Sequence, residues 1–170
     1  MKIDLSSLRE KDVMSISVEG EIKKDMLDLG GREIHFTKPI RYEGDIYKTN
    51  SGFFVHVNIA YEYSEICGRC LESFTKNGTA VLTGQMTKKE NSQLDDEIED
   101  AIYYEGDEVN LTDDIINAIV LSLPMKPLCS ENCKGICPHC GVNLNVEKCN
   151  CKEENIDPRL AILKDVIIDS

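Results

Sequence analysis

The sequence predicts an α+β protein, with an antiparallel β-sheet or partial barrel in the N-terminal half, an acidic linker, and a helix followed by a cysteine-rich zinc-binding module and a C-terminal helix. Three observations lead to this prediction. Apolar and polar residues alternate in several stretches before residue 88, as in half-buried strands. Residues 88–100 are polar and lack periodicity. Six of the eight cysteines fall within residues 129–151.

The expected organisation has three regions. Residues 1–87 form an antiparallel β domain that carries the first Cys-x2-Cys, and residues 88–100 form the acidic linker. Residues 101–170 contain the helix and the cysteine-rich module, packed with the first part as one unit. A chain of 170 residues, 41% of them apolar, is long enough to bury a sizeable core.

Alternation predicts the strands. Apolar residues alternate with polar ones at Met14, Ile16, Val18 and Ile22, and again at Ile34 and Phe36. Strands are expected to continue through Ile40, Tyr42, Ile46 and Tyr47. Pro39 indicates an edge position or a break. The clearest strand has Phe53, Val55, Val57, Ile59, Tyr61 and Tyr63 on one face. It runs into Cys67, and a returning strand with Phe74, Ala80, Leu82 and Met86 places the first Cys-x2-Cys near a hairpin turn.

A short strand is expected at Ala101–Tyr104, and then a helix that Thr112 caps. Asp113 and Asp114 suit the positive end of the helix dipole. Its apolar stripe is Ile115, Ile116, Ile119, Val120 and Leu123, and Pro124 and Pro127 end it. Asp157-Pro158 is typical of the start of a final helix, with Leu160, Leu163 and Ile167 on one face.

The cysteine spacing indicates metal. Cys-Pro-His-Cys-Gly at 137–141 has the form of a zinc knuckle, two thiolates on a tight turn with a glycine that permits positive φ. Cys149 and Cys151 supply a second pair, and residues 141–145 form the bridging hairpin. These four cysteines can close one tetrahedral site, although Cys-x-Cys is atypical.

Cys129 and Cys133 need two further ligands, and Cys67 and Cys70 offer them. Spacing therefore favours two sets of four, which are Cys67, Cys70, Cys129 and Cys133, and Cys137, Cys140, Cys149 and Cys151. We expect two structural Zn²⁺ ions. The alternative joins the four cysteines from 129 to 140, which leaves Cys67 and Cys70 as a redox dithiol and the last pair spare. His139 is a further alternative ligand.

Simpler interpretations of these residues do not involve a metal. A cysteine can be a buried thiol or half of a disulfide, and His35 and His56 can be solvated side chains. The first ten residues lack the apolar core of a signal peptide, so we expect reduced thiols and a cytoplasmic protein. No apolar run approaches the length that spans a bilayer, and no membrane partner is expected.

Charge is distributed unevenly. The net charge is −12, and the stretch from Glu90 to Asp114 contains eleven acids without a Lys or Arg. Non-specific nucleic-acid binding needs cations that displace counterions from phosphates, so this balance argues against it. The acidic stretch can bind a basic partner. Alternatively, it is a solvated loop that serves only solubility.

Four motifs occur together in one order: Cys-Gly-Arg-Cys-Leu at 67–71, Leu-Pro-Met-Lys-Pro-Leu-Cys at 123–129, the pair at 137–140 followed by Gly-Val-Asn-Leu-Asn, and Asp-Pro-Arg-Leu-Ala at 157–161. This combination resembles the bacterial YceD family, also described as the large ribosomal RNA subunit accumulation protein. The resemblance implies a cytoplasmic protein needed for accumulation or processing of 23S ribosomal RNA, and it implies no known reaction. The family's Cys-x-Arg-Cys-Leu element corresponds to Cys67, Arg69, Cys70 and Leu71.

The leading hypothesis is a non-catalytic factor in large-subunit assembly, with structural zinc. Its partner would be a ribosomal protein or a large-subunit assembly intermediate, with ribosomal RNA reached indirectly. An RNA-processing enzyme would need carboxylates, or acid and base groups, held in a pocket. A dithiol oxidoreductase would use Cys67 and Cys70, but the strand-like residues after Cys70 do not provide the helix N-terminus that lowers a thiol pKa.

Overall fold

The structure, a computed structural model, describes residues 2–10, 12–50, 52–88 and 101–151. The elements in chain order are β1 (Ile3–Asp4), a 3-10 helix (Ser6–Arg9), β2 (Ser15–Ile22), β3 (Met26–Asp28), β4 (Glu33–Phe36), β5 (Ile40–Thr49), β6 (Gly52–Ile66), β7 (Ser73–Lys88), β8 (Ile102–Tyr104), β9 (Glu108–Val109) and α1 (Thr112–Ser122). The linker after Lys88 and the helix predicted after Asp157 lie outside the described residues.

The sheet is built around β6. This strand pairs with β7 along its whole length, and its other side pairs first with β5 and then with β4. β2 extends the sheet beyond β5, and β3 extends it beyond β4. The result is a seven-stranded half-barrel, which confirms the antiparallel sheet predicted for the N-terminal half. The short β8 joins β7 in parallel, a pairing that the sequence did not predict.

The core lies on the odd-numbered face of β6, as the alternation predicts. Val55 and Val57 are fully buried there, and Tyr61 and Tyr63 continue the same face. α1 covers this side of the sheet with Ile115 and Ile119, because these residues are four apart and share one helix face. A hydrogen bond of 2.8 Å between the hydroxyls of Tyr61 and Ser122 joins the end of the helix to β6.

The start of α1 differs from the prediction. Thr112 is the first helical residue rather than the cap, and Leu111 occupies the N-cap position. The Oδ1 atom of Asn110 accepts hydrogen bonds from the Thr112 backbone N–H (3.2 Å) and hydroxyl (2.8 Å). The Thr112 hydroxyl therefore donates to Asn110, and Thr112 does not occupy the position from which a side chain caps the helix.

The other end of α1 is as expected. The helix ends at Ser122, and Pro124 follows in the segment that leads to the cysteines. Within the four described ranges, no helix combines the length and the apolar character that a membrane crossing requires.

Candidate metal centres

The hairpin between β6 and β7 and the chain after α1 meet at four cysteines. Cys67 and Cys70 lie at the tip of the hairpin, and Cys129 and Cys133 come from the segment after α1. Their sulfur atoms all lie within 4.8 Å of one another. We call these four residues the first cysteine group. Three of its members are buried, and only Cys129 is exposed.

The spacing of these sulfurs fits a tetrahedral metal site. The Sγ atoms of Cys67 and Cys133 are 3.8 Å apart, and those of Cys70 and Cys129 are 3.7 Å apart. Four thiolates at the usual Zn–S distance of about 2.3 Å from one ion are separated by about 3.8 Å along each tetrahedral edge. A disulfide needs about 2.0 Å, so the arrangement has the dimensions of a four-thiolate site.

Backbone N–H groups stabilise thiolates in this group. Burial by itself would raise the pKa of Cys67, but N–H donors from Cys70, Cys129 and Arg69 outweigh it and lower that pKa to about 6. The Cys129 donor lies 3.4 Å from the Cys67 sulfur. The pKa of Cys129 is raised to about 12, mainly by the hydrogen bond with Cys133 and to a smaller extent by burial. These contacts thus shift the pKa values of Cys67 and Cys129 in opposite directions.

Backbone and guanidinium contacts fix the segment that carries Cys129 and Cys133. The Gly68 N–H donates to the Pro127 carbonyl at 2.8 Å. The Arg69 guanidinium donates to the carbonyl of Cys133 at 3.0 Å and to that of Glu131 at 3.3 Å. Arg69 thus holds the two halves of the first group together through main-chain oxygens.

A buried ion pair supports the same segment. Arg32 lies between β3 and β4, and its Nε and Nη2 atoms donate to the two carboxylate oxygens of Glu65 at 2.8 and 3.0 Å. Its Nη1 atom donates to the Pro124 carbonyl at 2.8 Å. The Glu65 side chain is 1% exposed. Glu65 follows Tyr63 on the core-facing side of β6. An acid at a core-facing position is the sequence signal from which this pair could have been predicted.

The second cysteine group consists of Cys137, Cys140, Cys149 and Cys151, whose sulfurs also lie within 4.8 Å of one another. Only Cys137 is buried, and Cys140 and Cys151 are exposed. N–H groups of Cys140 and His139 are the main cause that lowers the pKa of Cys137 to about 6. The side chains of Cys140, Cys149 and Cys151 line an open surface depression of about 480 Å³.

The two knuckles have the same backbone turn but different residues at its end. In the second, the Gly141 N–H donates to the Cys137 carbonyl at 2.9 Å, and Gly141 has the positive φ (73°) that the sequence predicts. In the first, Leu71 makes the equivalent bond to Cys67 at 3.0 Å with φ of 60°. Leu71 is 63% exposed. A bulky residue is strained in this left-handed region.

The structure thus brings the eight sulfurs together as the two sets of four that the spacing favours. Cys129 and Cys133 lie with Cys67 and Cys70 rather than with the 137–140 pair. Among the described residues, the groups of three or more candidate ligands contain cysteines alone, and His139 belongs to neither. His35 is exposed and His56 half-buried, on the solvent side of their strands. Sequence reasoning missed the side chain of Asn145, which reaches the first group.

These features define a class: a small, curved β-sheet protein with two clusters of four cysteines, one closing the sheet against the chain that follows it. The chain belongs to the YceD family, whose model, described as large ribosomal RNA subunit accumulation protein YceD, matches residues 55–166. The matched residues include both cysteine groups and most of β6, around which the sheet is built.

Several proteins are similar to this chain. An uncharacterized protein of Mycobacterium bovis and one of Mycobacterium tuberculosis are each 31% identical over 123 residues, covering 72% of this chain and 59% of theirs. A chloroplastic protein of Arabidopsis thaliana, named large ribosomal RNA subunit accumulation protein YCED homolog 1, is 34% identical over 61 residues, 35% of this chain and 19% of that protein. The alignment thus spans less than two thirds of these relatives. No solved structure matches.

Proposed function

We propose that the protein is a non-catalytic factor that supports 23S ribosomal RNA accumulation and large-subunit assembly in the cytoplasm, with one structural Zn²⁺ in each cysteine group. The observation that carries the zinc part is the sulfur spacing of the first group, 3.7 and 3.8 Å between opposite segments of the chain. The family description supports the ribosomal part of the proposal. The family model matches residues 55–166, the region that also contains both cysteine groups.

Zinc fits the donor chemistry better than other common ions. Thiolates favour zinc over magnesium or calcium, which bind oxygen. Four cysteines also fill the tetrahedron, so no position stays open for a water or a substrate. When bound, the metal would contribute folding free energy by joining Cys67 and Cys70 to Cys129 and Cys133.

The same geometry favours a structural role over the two catalytic alternatives. An RNA-processing enzyme would use grouped carboxylates, whereas the candidate ligand groups in the described ranges are built from sulfur. A dithiol oxidoreductase needs an accessible thiolate. Cys67 is 0% exposed and Cys70 5% exposed at a hairpin tip, where both pack with Cys133.

The acidic stretch supports a basic protein partner, but not all of its charge is available. Asp107 forms an ion pair with Arg9, and Glu108 forms one with Lys2 at 2.6 Å. These internal pairs neutralise acids near β9. We therefore assign the partner surface to the acids of the linker, which lies outside the described residues, and propose a ribosomal protein or a large-subunit precursor as its partner.

Elemental analysis of protein purified under reducing conditions tests the metal part. We expect two zinc ions per chain. A ratio near zero would reject the metal proposal, and a ratio near one would show that one cysteine group holds no ion. Incubation with RNA and Mg²⁺ tests the enzyme alternative, for which cleavage would count against our proposal.

Co-sedimentation with large-subunit precursors tests the partner. We expect weaker association after conversion of the linker acids to their amides, in Asp95, Asp96, Glu97, Glu99 and Asp100. Association of the native protein should also fall as salt rises, because exposed charges are screened within about 10 Å at 0.1 M salt. A matched control neutralises Glu19, Glu21 and Glu43 on the solvent face of the sheet. Undiminished co-sedimentation of the linker variant would remove the linker from the interaction.

A further inference from the structure

The loop between Cys140 and Cys149 reaches from the second cysteine group to the first. Its residue Asn145 donates a hydrogen bond from Nδ2 to the Cys133 sulfur at 3.3 Å. The Oδ1 atom of the same side chain accepts the Lys134 N–H at 2.8 Å. One amide therefore binds both a sulfur of the first group and the backbone beside it.

The position of Asn145 depends on its own loop. Asn143 Oδ1 accepts hydrogen bonds from the backbone N–H of Asn145 (3.0 Å) and from its side-chain Nδ2 (2.9 Å). The Leu144 N–H donates to the Gly135 carbonyl at 2.9 Å. Both ends of this loop are cysteines of the second group, Cys140 and Cys149. Whatever holds those sulfurs together also restricts where Asn145 can lie.

The connection to the hairpin is equally direct. The Ile136 N–H donates to the Arg69 carbonyl at 3.2 Å, so the chain between the two groups lies against the first knuckle. At Gly135 (φ 75°), a Cβ atom would come within 3.0 Å of the same Arg69 oxygen. This close approach brings the second group's loop within reach of Cys133.

We propose that Asn145 is a positioning residue that couples the two metal sites: metal in the second cysteine group fixes the loop that presents the Asn145 amide to Cys133, which strengthens metal binding in the first group. The inference rests on the proposed zinc binding. Zinc with four thiolates carries net negative charge, and an N–H donor to a ligand sulfur offsets part of it. By linkage, metal in the first group strengthens binding at the second by the same factor.

Four proteins form the test: the native chain, Asn145→Ala, Cys149→Ser/Cys151→Ser, and the combination of all three changes. Each is loaded with zinc and titrated with a chelator under reducing conditions. Alkylation of Cys67 and Cys133, mapped by peptide mass spectrometry, then gives the apparent dissociation constant of the first group alone. Asn58→Ala, which changes an exposed asparagine in β6, is the matched control.

Loss of a hydrogen bond to a metal ligand weakens metal affinity by about 10- to 100-fold. We expect a weakening in this range for Asn145→Ala, and a smaller one for the double serine variant. The combined variant should be no weaker than Asn145→Ala, because both changes remove the same contact. Asn145→Asp keeps the acceptor for Lys134 but not the donor, and should lose at least as much affinity. Asn58→Ala should leave the constant unchanged.

Circular dichroism of each variant verifies that the sheet is retained. An Asn145→Ala constant within twofold of the native value would overturn the proposal, and so would fully additive effects of the two changes. Equal weakening by Asn58→Ala would overturn it as well. A native protein that binds no zinc would instead reject the metal proposal itself, and the elemental analysis reports that outcome separately.

Discussion

The two cysteine groups have the same four side chains but different surroundings. The first joins strands to a segment 59 residues away, as measured from Cys70 to Cys129, and packs against Phe74 and Leu128. The second is assembled from residues 137–151, and two of its four cysteines are exposed. The difference teaches that identical donors can lie in unequal surroundings: one group joins distant parts of the fold, and the other lies within one short segment.

Burial is the physical basis of this inequality. An apolar shell limits the access of water, chelators and protons to the metal and its sulfurs. It also makes loss of the metal costly, because vacated thiols would remain in a packed site. We therefore expect the first group to dominate stability, and the second to exchange its metal more readily.

The largest effect is expected from a broken ligand. Cys70→Ser should remove zinc from the first group and lower the thermal midpoint by more than about 10 °C, because metal binding contributes to folding and about 1 kcal/mol corresponds to about 2–4 °C in a chain of this size. Cys151→Ser should lose one zinc with a much smaller shift. Zinc content and thermal unfolding measure both. Equal shifts would contradict the comparison.

The Arg32–Glu65 pair should matter next, because it braces the segment that leads to Cys129. Glu65→Gln leaves the Arg32 charge partly buried, and we expect a loss of about 2–3 kcal/mol in unfolding free energy. This lies below the range for fully buried pairs, since the Arg32 side chain is 25% exposed.

Denaturant unfolding measures the Glu65→Gln effect. The control is Glu21→Gln, in the exposed pair with Arg41, which should cost less than about 1 kcal/mol. If the two variants lost the same free energy, the buried pair would have no special part in holding the first group's segment.

Metal removal should proceed in two phases. With excess chelator under reducing conditions, zinc from the second group should leave at least about tenfold faster, equivalent to about 1.4 kcal/mol in the barrier. A zinc-sensitive dye follows the release. Cys151→Ser should lack the fast phase. This loss would assign the fast phase to the second cysteine group. A single phase in the native protein would show that exposure does not separate the groups.

The smallest effect concerns the ends of the two knuckles. Leu71→Gly should relieve the left-handed strain and stabilise the protein by about 0.5–1 kcal/mol, after the greater unfolded-state freedom of glycine is counted. Gly141→Ala should introduce the same kind of strain in the second knuckle and destabilise the protein. A Cβ there has no neighbour within 4 Å, so the cost is in the backbone alone. Thermal unfolding measures Leu71→Gly. A lower midpoint would mean that the exposed leucine stabilises the fold.

Period-two alternation predicted the long strands because their inward residues form one buried face, as in β6. Spacing indicated which sulfurs meet, since pairs must combine to reach four ligands. The parallel pairing of β8 was not predictable, because three apolar residues do not specify a partner strand. The contact of Asn145 with Cys133 was not predictable either, because it depends on how two loops approach each other. Asparagine is also common in turns for local backbone reasons alone.

The long span of the first cysteine group has a consequence for chain cleavage. A cut in residues 89–100 would leave Cys67 and Cys70 on one fragment and Cys129 and Cys133 on the other. β8 would still pair with β7, and α1 would still cover the sheet. The fragments should therefore remain one particle after proteolysis and part only when denaturant and chelator act together. This makes residues 89–100 a suitable place to split the gene for complementation.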